Sequence, residues 1–322
     1  MTNTFFGFWD SNTPVNNTQF TQIKLWAKSI LFFHPNSQIH LYTKKNIIPI
    51  NPQIQNLFLI YMDNFQPIFD NTPLQNFIIP TNISKPELSD IIRIALLFKY
   101  GGTWIDIDDI IIRPIPKEKN IIGTFLWKNN KSTATYWGST FNLANGNLIN
   151  PKYNNYGFHI QNDPMINWEK NNQFLAIWME KIKNYKSSDW GQKLPTNIIK
   201  YNPHFIQNYN ITLTPQHHLL LHPAFGNNKQ FGFPNSKGPM FPPYDLRISG
   251  KTNYDDLINQ NEFWNITKQT LQLHSHFCIK NSKNIGITQC NENKPQRWLV
   301  GFLCDINNFN NILLKIKNLE NS

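Results

Sequence analysis

Apolar residues in the first hundred positions follow two rhythms, short unbroken runs and a three-to-four spacing. "TFFGFW", residues 4 to 9, is a continuous run of the kind a strand buried on both faces shows. "FTQIKLWAKSILFFHP" then repeats at helical spacing and stops at Pro35, and "QIHLYT" follows as a second strand. Strand, helix and strand in that order predict a β-α-β unit, hence a parallel sheet with helices on its faces. "LSDIIRIALLFKY", residues 88 to 100, predicts a second amphipathic helix, with Ser89 as its N-cap and Gly101 in a left-handed conformation at its end. The chain turns at Gly101-Gly102 and enters "TWIDIDDIIIR", which reads as one strand ended by Pro114 and Pro116. Residues 130 to 165, rich in Asn and Gly, read as a long loop region with short strands. "NNQFLAIWMEKIKNY" is a further helix, and residues 203 to 250, rich in Pro, Gly and aromatics, read as irregular but packed.

Composition narrows the class. With 322 residues, 40% hydrophobic and 14% aromatic, the chain can bury one large core or two modest ones. A net charge of +10 admits acidic partners, but the lysines are scattered, and no basic helical stripe or nucleic-acid motif accompanies them. Nucleic acid is therefore not an expected partner, while peripheral contact with an anionic membrane is compatible. Cys278, Cys290 and Cys304 make neither a zinc spacing nor a disulfide framework. The start of the chain lacks a signal-peptide pattern and no run reaches the eighteen or so apolar residues of a membrane span, so a cytoplasmic protein is expected.

"WIDIDD", residues 104 to 109, is the first stretch that demands chemistry. On a strand, period two puts Asp106 and Asp108 on one face and Asp109 on the other. Two carboxylates on one face repel each other unless a cation lies between them. Hard divalent ions with oxygen ligands, Mg²⁺ or Mn²⁺, meet that need and usually bridge substrate phosphates. The carboxyl end of a strand in an open α/β sheet is also where ligands bind. An EF-hand does not fit, because its Gly and distal Glu are missing. Upstream, Asp90 and Arg93 stand three apart on one helical face, and Gly-Gly delivers that helix into the acid strand. An acid and a base there are suited to hold sugar hydroxyls and diphosphate oxygens.

Taken together, "LSDIIRIALLFKYGGTWIDIDD" resembles the signature of glycosyltransferase family 32 and its relatives. These are the α-1,4-galactosyltransferases of globoside synthesis, α-1,6-mannosyltransferases and large glucosylating toxins. Their pattern is SDxxR, then YGG, then aromatic-x-D-x-D at the same spacings. The resemblance implies a GT-A fold, an α/β architecture with a Rossmann-like mixed central sheet flanked by helices, over residues 1 to 282. It also implies a retaining, metal-dependent transfer of a sugar from a nucleotide sugar to a glycan, glycolipid or glycoprotein. A UDP-sugar is favoured as donor, although GDP-mannose users share the motif.

Site roles follow by the same resemblance. Asp108 would ligate Mn²⁺ (or Mg²⁺) directly, and Asp106 would reach the metal through water or hold the ribose. Asp90 and Arg93 would orient the donor sugar, and Trp9 would stack on the base. "QNDPMINW" resembles the segment bearing an Asn beside the donor sugar, which makes that residue Asn162, with Asp163 where the family often has Gly. "WGQKLP" resembles WGxxGP with Leu194 in place of the second Gly. "LHSHFC" resembles the family's HxW strand, with His276 as the match for a metal or diphosphate contact. There Cys278 replaces the Trp, and His274 competes with His276 for the role. Retention would proceed by front-side attack, with the diphosphate oxygen taking the acceptor's proton. No protein nucleophile is identified unless Asp163 lies at the anomeric carbon.

Residues 283 to 322 read as an extension or cap, and "FCIKNSKNIGITQCNENKPQRWLV" resembles one repeat of a ricin-type lectin, with Gln296, Arg297 and Trp298 as its QxW. One repeat cannot close a trefoil. Two other classes compete with the transferase. A haloacid-dehalogenase phosphatase would use Asp106 as nucleophile and Asp108 as acid/base, with Lys251 and Asp255-Asp256 in its later motifs. That family, however, wants its motif near the N-terminus. The other is a GT-A-like protein that binds nucleotide or glycan without turnover.

Overall fold

Successive side chains of the first strand enter two different cores. Phe5 belongs to one, while Phe6 and Phe8 belong to the other, as period two requires of a strand covered on both faces. The computed structural model describes residues 3–48, 54–111, 114–128, 141–142, 147–148, 156–215, 220–221 and 272–274. Their elements are β1 (Thr4–Phe8), α1 (Asn17–Phe33), β2 (Gln38–Thr43), β3 (Leu57–Tyr61), α2 (Lys85–Tyr100), β4 (Gly102–Trp104), β5 (Asp109–Ile111) and β6 (Ile121–Lys128). The two short strands β7 (Phe141–Asn142) and β8 (Asn147–Leu148) form a hairpin. There follow β9 (Tyr156–Trp168), α3 (Gln173–Lys181), α4 (Lys193–Tyr201), α5 (Phe205–Asn208), β10 (Thr212–Pro215), β11 (Leu220–Leu221) and β12 (Gln272–His274).

Seven strands make the central sheet in the order β10-β6-β9-β4-β1-β2-β3. The opening β1-α1-β2 unit is parallel, as the sequence pattern predicts. Only β9 runs against its neighbours in this sheet, antiparallel to both β4 and β6, so the sheet is mixed. One face buries Phe5, Ile39 and Leu41 against Ile23, Trp26 and Ile30 of α1. The other buries Phe6, Phe8 and Trp104 against α2, α3 and α4. This is the expected α/β arrangement of a mixed sheet flanked by helices.

Four expectations change in detail. The helix expected from residue 88 begins at Lys85, because Ser84 and Glu87 form a reciprocal capping box: Glu87 Oε2 accepts from the Ser84 amide at 2.9 Å, and Ser84 Oγ from the Glu87 amide. Ser89 is thus inside the helix. At its other end Gly101 has the expected positive φ of 69°, but its ψ of −172° is extended rather than left-handed helical.

The second change concerns residues 156 to 165, part of the stretch expected as a long loop region with short strands. They belong to the 13-residue β9, which carries a proline in a central position. Ladder pairing jumps from Gln161↔Gly123 to Met165↔Ile122, so Asn162, Asp163 and Pro164 bulge out of register. A bulge is where a central strand tolerates proline, since no ladder hydrogen bond is asked of it, and it re-aims the side chains it carries. The third change lies at the acid cluster and belongs to the site. Residues 203 to 250, expected as irregular, contain α5, β10 and β11 within their described part.

Candidate active site

The chain does not stay in one strand through "WIDIDD". β4 stops at Trp104, and the Asp109 amide closes a turn onto the Asp106 carbonyl at 3.0 Å. β5 then starts in a different, three-stranded sheet with β12 and β11. Each short strand pairs elsewhere, β4 between β1 and β9 and β5 with β12, so the backbone must bend between them. The division of faces survives the bend: Asp106 and Asp108 are part-exposed, and Asp109 is fully buried. Gly102 makes the entry possible. Its φ is 104°, and a β-carbon on it would lie 2.5 Å from the Thr4 carbonyl oxygen of β1.

Arg93 sits at the centre of the cluster, 3% exposed. It donates to Asp106 Oδ1 at 2.8 Å and to the Asn162 carbonyl, and it stands 3.8 Å from Asp90 Oδ1 across one helical turn. Asn162 in turn donates its amide to Asp90 Oδ1 at 2.6 Å. Three separate segments, α2, the acid turn and the β9 bulge, therefore meet on one guanidinium. A buried ion pair of this kind needs its remaining donors and acceptors filled to be tolerated. Burial opposes the Arg93 charge and three acidic neighbours, Asp106, Asp90 and Asp163, outweigh it, whereas its Nε is buried without a partner among the described residues.

The acids around it feel burial in different degrees. Asp90 is pushed up to about 6, by burial first, and Arg93 and the Asn162 amide pull it back. Asp163 is 4% exposed and does not face open space. Its Oδ1 accepts from the Asp106 amide at 3.1 Å, and its carboxyl also hydrogen-bonds Asp109. Burial, then the charge of neighbouring carboxylates, raises both Asp163 and Asp109 well above the carboxylate range. Two carboxyl groups in contact away from water favour the form that shares one proton.

A further residue closes the cluster from the α4 side. Gly191 lies so near that a β-carbon would stand 2.4 Å from Asp90 Oδ2 and 2.9 Å from the Asn162 amide nitrogen. The segment before it docks on α2 through Ser187 Oγ, which donates to Glu87 Oε1 at 2.7 Å. Leu194, where the resembling motif has Gly, is wholly buried at the start of α4 and leaves this approach intact.

Trp9 follows β1, and its amide donates to the Tyr42 carbonyl of β2 at 3.0 Å. Its indole is half-buried and its Nε1 is buried without a partner among the described residues. Asp10, which the sequence reading passed over, is buried beside it. Its Oδ2 takes Lys85 at 2.5 Å and Lys44 at 3.4 Å, while its Oδ1 has no partner among the described residues. The signal available in sequence was an acid directly after the first buried strand, at the edge where open α/β sheets bind ligands. His276 and residues 283 to 322, with the QxW-like Gln296 to Trp298, lie outside the described residues. The backbone of His274 pairs with that of Asp109 through β12 and β5.

As a metal site, this is a partial ligand set. Asp106 and Asp108 would supply carboxylate oxygens beyond the carboxyl end of β4, and no group of three His, Cys, Asp or Glu side chains suited to a metal occurs among the described residues. Two carboxylates with the balance from water and phosphate oxygens fit Mg²⁺ or Mn²⁺, which keep waters and bind together with substrate phosphates.

Comparison with known proteins agrees with this constellation. Residues 21–126, which hold α2 and the acid turn, match the family described as a glycosyltransferase sugar-binding region containing a DXD motif. A mouse (Mus musculus) lactosylceramide 4-alpha-galactosyltransferase is 26% identical over 178 residues, 50% of this chain and 41% of that protein. The human (Homo sapiens) alpha-1,4-N-acetylglucosaminyltransferase is 39% identical over 70 residues, 20% of each. This chain thus spans less than half the length of either relative. Among solved structures, the PaToxG glycosyltransferase overlays 65% of this chain and 73% of its own, at 15% identity and a TM-score of 0.39. Over residues 21–126 the chain is thus similar to glycosyltransferases whose sugar-binding region contains a DXD motif.

Proposed function

We propose that this chain is a retaining, metal-dependent glycosyltransferase of GT-A type that takes a sugar from a nucleotide sugar, a UDP-sugar in preference, and transfers it to a glycan or glycoconjugate acceptor. The observation that carries the reading is Arg93, which ties Asp90, the first acid of the DXD turn and the Asn162 segment into one site. Each of these comes from a different motif, and a chance DxD would not gather the other two.

In this reading Asp90 and Asn162 receive the donor sugar's hydroxyls, and Arg93 fixes both against the acid turn. Positioning of this kind lowers the barrier by holding the reacting centres in line. Asp106 and Asp108 hold the divalent ion, Mn²⁺ or Mg²⁺, and His274 or His276 is the further candidate ligand. When bound, the ion neutralises charge on the departing diphosphate. Trp9 offers its ring to the base. Lys44 and Lys85 stand beside Asp10 at the same edge.

The turned-away carboxyl of Asp163 supports a front-side route without a protein nucleophile. The phosphatase reading gains nothing, since Asp106 Oδ1 is already held by Arg93 at 2.8 Å and by Trp104 Nε1 at 2.7 Å. A protein that binds without turnover would share every contact described, so binding alone cannot separate it from an enzyme.

The donor site is tested first, by calorimetric titration of UDP and of GDP, each with and without MnCl₂, on the wild type and on Asp108→Ala. Metal-dependent UDP binding that is lost in the variant is the expected result. Metal-dependent GDP binding would redirect the donor to GDP-mannose or GDP-fucose. If neither nucleotide binds, the transferase reading is wrong. A UDP-sugar hydrolysis assay on the same samples then tests turnover.

A further inference from the structure

Trp104 does more than fill the core. It is fully buried between β1 and β9, but its indole Nε1 is spent unlike those of the other buried tryptophans. Trp168, Trp178 and Trp190 each donate to a backbone carbonyl, of Ile121, Trp190 and Ile182 respectively. Trp104 instead donates to a carboxylate, Asp106 Oδ1, at 2.7 Å. The same oxygen takes Arg93 at 2.8 Å, and the guanidinium carbon of Arg93 stands 5.1 Å from the centre of the Trp104 ring. One side chain thus supports the arginine and shares the oxygen the arginine holds.

The consequence falls on the other oxygen of Asp106. Its backbone is tied by its amide to Asp163 and its Oδ1 by two donors, so the carboxylate cannot rotate about its own axis without breaking a charge-assisted bond. Oδ2 is left as the face Asp106 presents, in a side chain 28% exposed. We propose that Trp104 is a positioning residue that commits Asp106 to act through Oδ2 alone, as a one-oxygen partner of the metal-nucleotide complex. The inference rests on the transferase reading, because it concerns the same acid turn. Partners that orient a ligating side chain typically contribute about 10–100-fold in metal affinity.

The test compares Trp104→Phe with Trp168→Phe, which removes an equally buried indole N–H from the same sheet but bonded to a backbone carbonyl. Thermal denaturation without metal measures the structural cost of each. Calorimetric titration of UDP in MnCl₂, with free Mn²⁺ followed by electron paramagnetic resonance, measures the site. The expected result is a loss of about tenfold or more in Mn²⁺-dependent UDP affinity for Trp104→Phe, with Trp168→Phe within about twofold of wild type. Should Trp104→Phe fail to fold, β-(3-benzothienyl)alanine at position 104 keeps the bicyclic shape without the N–H, and the same loss is expected. Affinity within twofold of wild type in the folded position-104 variant overturns the inference while leaving the transferase reading intact. If the wild type binds GDP instead of UDP, the same comparison is made with GDP; metal-dependent binding of neither nucleotide overturns both.

Discussion

The α-carbon of Gly191 is packed against the carboxylate of Asp90: a β-carbon there would stand 2.4 Å from Oδ2 and 2.7 Å from Cγ. Real β-carbons do not come that close, so a side chain at 191 displaces either Asp90 from Asn162 and Arg93 or the segment that carries residue 191. On the proposed reading Asp90 and Asn162 would hold the sugar rather than the nucleotide. Gly191→Ala is therefore expected to leave Mn²⁺-dependent UDP affinity within about twofold while weakening UDP-sugar binding and kcat/KM by about tenfold or more, since misplacement by roughly an ångström costs up to about 100-fold. Parallel calorimetry with UDP and with the tightest-binding UDP-hexose checks this. Equal losses for both ligands would mean that the segment carrying Gly191 shapes the whole cleft rather than the sugar contacts.

Asp90 also sets a pH dependence. Its folded-state value of about 6 stands above its ordinary 3.8, so between those values the folded chain holds a proton that the unfolded chain has lost. The associated stability is full below about pH 4 and is lost as pH rises through about 6, which makes ionised Asp90 a cost at neutral pH. Accepting sugar hydroxyls, by contrast, calls for the ionised form. UDP-hexose affinity should accordingly rise as pH climbs through about 6, and Asp90→Asn should flatten that rise. At pH 8 Asp90→Asn should melt no lower than wild type despite its loss of sugar binding. A variant that melts well below wild type at pH 8 would show that the Arg93 pairing outweighs the burial cost.

Which of these relationships can be read from sequence depends on how far the partners lie along the chain. The Asp90–Arg93 pair is three residues apart on a helix, and helical spacing exposes it directly. The helix start was equally local, since "SKPE" is the Ser-x-x-Glu of a capping box, but the apolar run beginning at Leu88 drew the boundary three residues late. The acid turn was harder. Alternation through "WIDIDDIII" suits one strand, and what breaks it is that β4 and β5 are claimed by different sheets, a fact of tertiary pairing. β9 was hidden by Asn-rich composition and by Pro164, which local rules exclude from a central strand and only a bulge admits. Trp104 on Asp106 and Gly191 on Asp90 depend on atoms brought together by packing, and no spacing announces them.

Burial rather than distance decides which ion pairs matter. The Lys119–Glu169 pair is shorter, at 2.6 Å, than Arg93–Asp106 at 2.8 Å, but its side chains are 59% and 43% exposed. Lys119→Ala should cost less than about 1 kcal/mol, the range of surface pairs. Arg93→Ala strands the Asp106 carboxylate, the Asn162 carbonyl and Asp90 around a cavity, and removing one partner of a buried pair typically costs about 3–5 kcal/mol. Denaturant unfolding of both variants tests the contrast. A cost near 1 kcal/mol for Arg93→Ala would show that water enters and solvates the cluster. For the same reason Arg93→Lys, which keeps the charge, is the better variant for kinetic work.

Asp163 separates two mechanisms that share every other residue. As a nucleophile it would need an ionised oxygen at the anomeric carbon, and Asp163→Asn would abolish turnover. Its carboxyl instead lies among the Asp106 amide and Asp109, raised by burial toward its protonated form. An asparagine reproduces that form closely: its carbonyl oxygen can accept from the Asp106 amide, and its NH₂ can donate to Asp109. Asp163→Asn is therefore expected to keep metal-dependent UDP binding within about tenfold of wild type, in the range of a lost supporting contact, and to retain measurable transfer. Asp163→Ala should lose both hydrogen bonds and destabilise the bulge, by about 1–3 kcal/mol for each buried group left unpaired. The measurement is single-turnover sugar transfer or hydrolysis by the three proteins side by side. Complete loss in Asp163→Asn with unchanged UDP binding and stability would bring back the covalent route and place Asp163 at the reacting carbon.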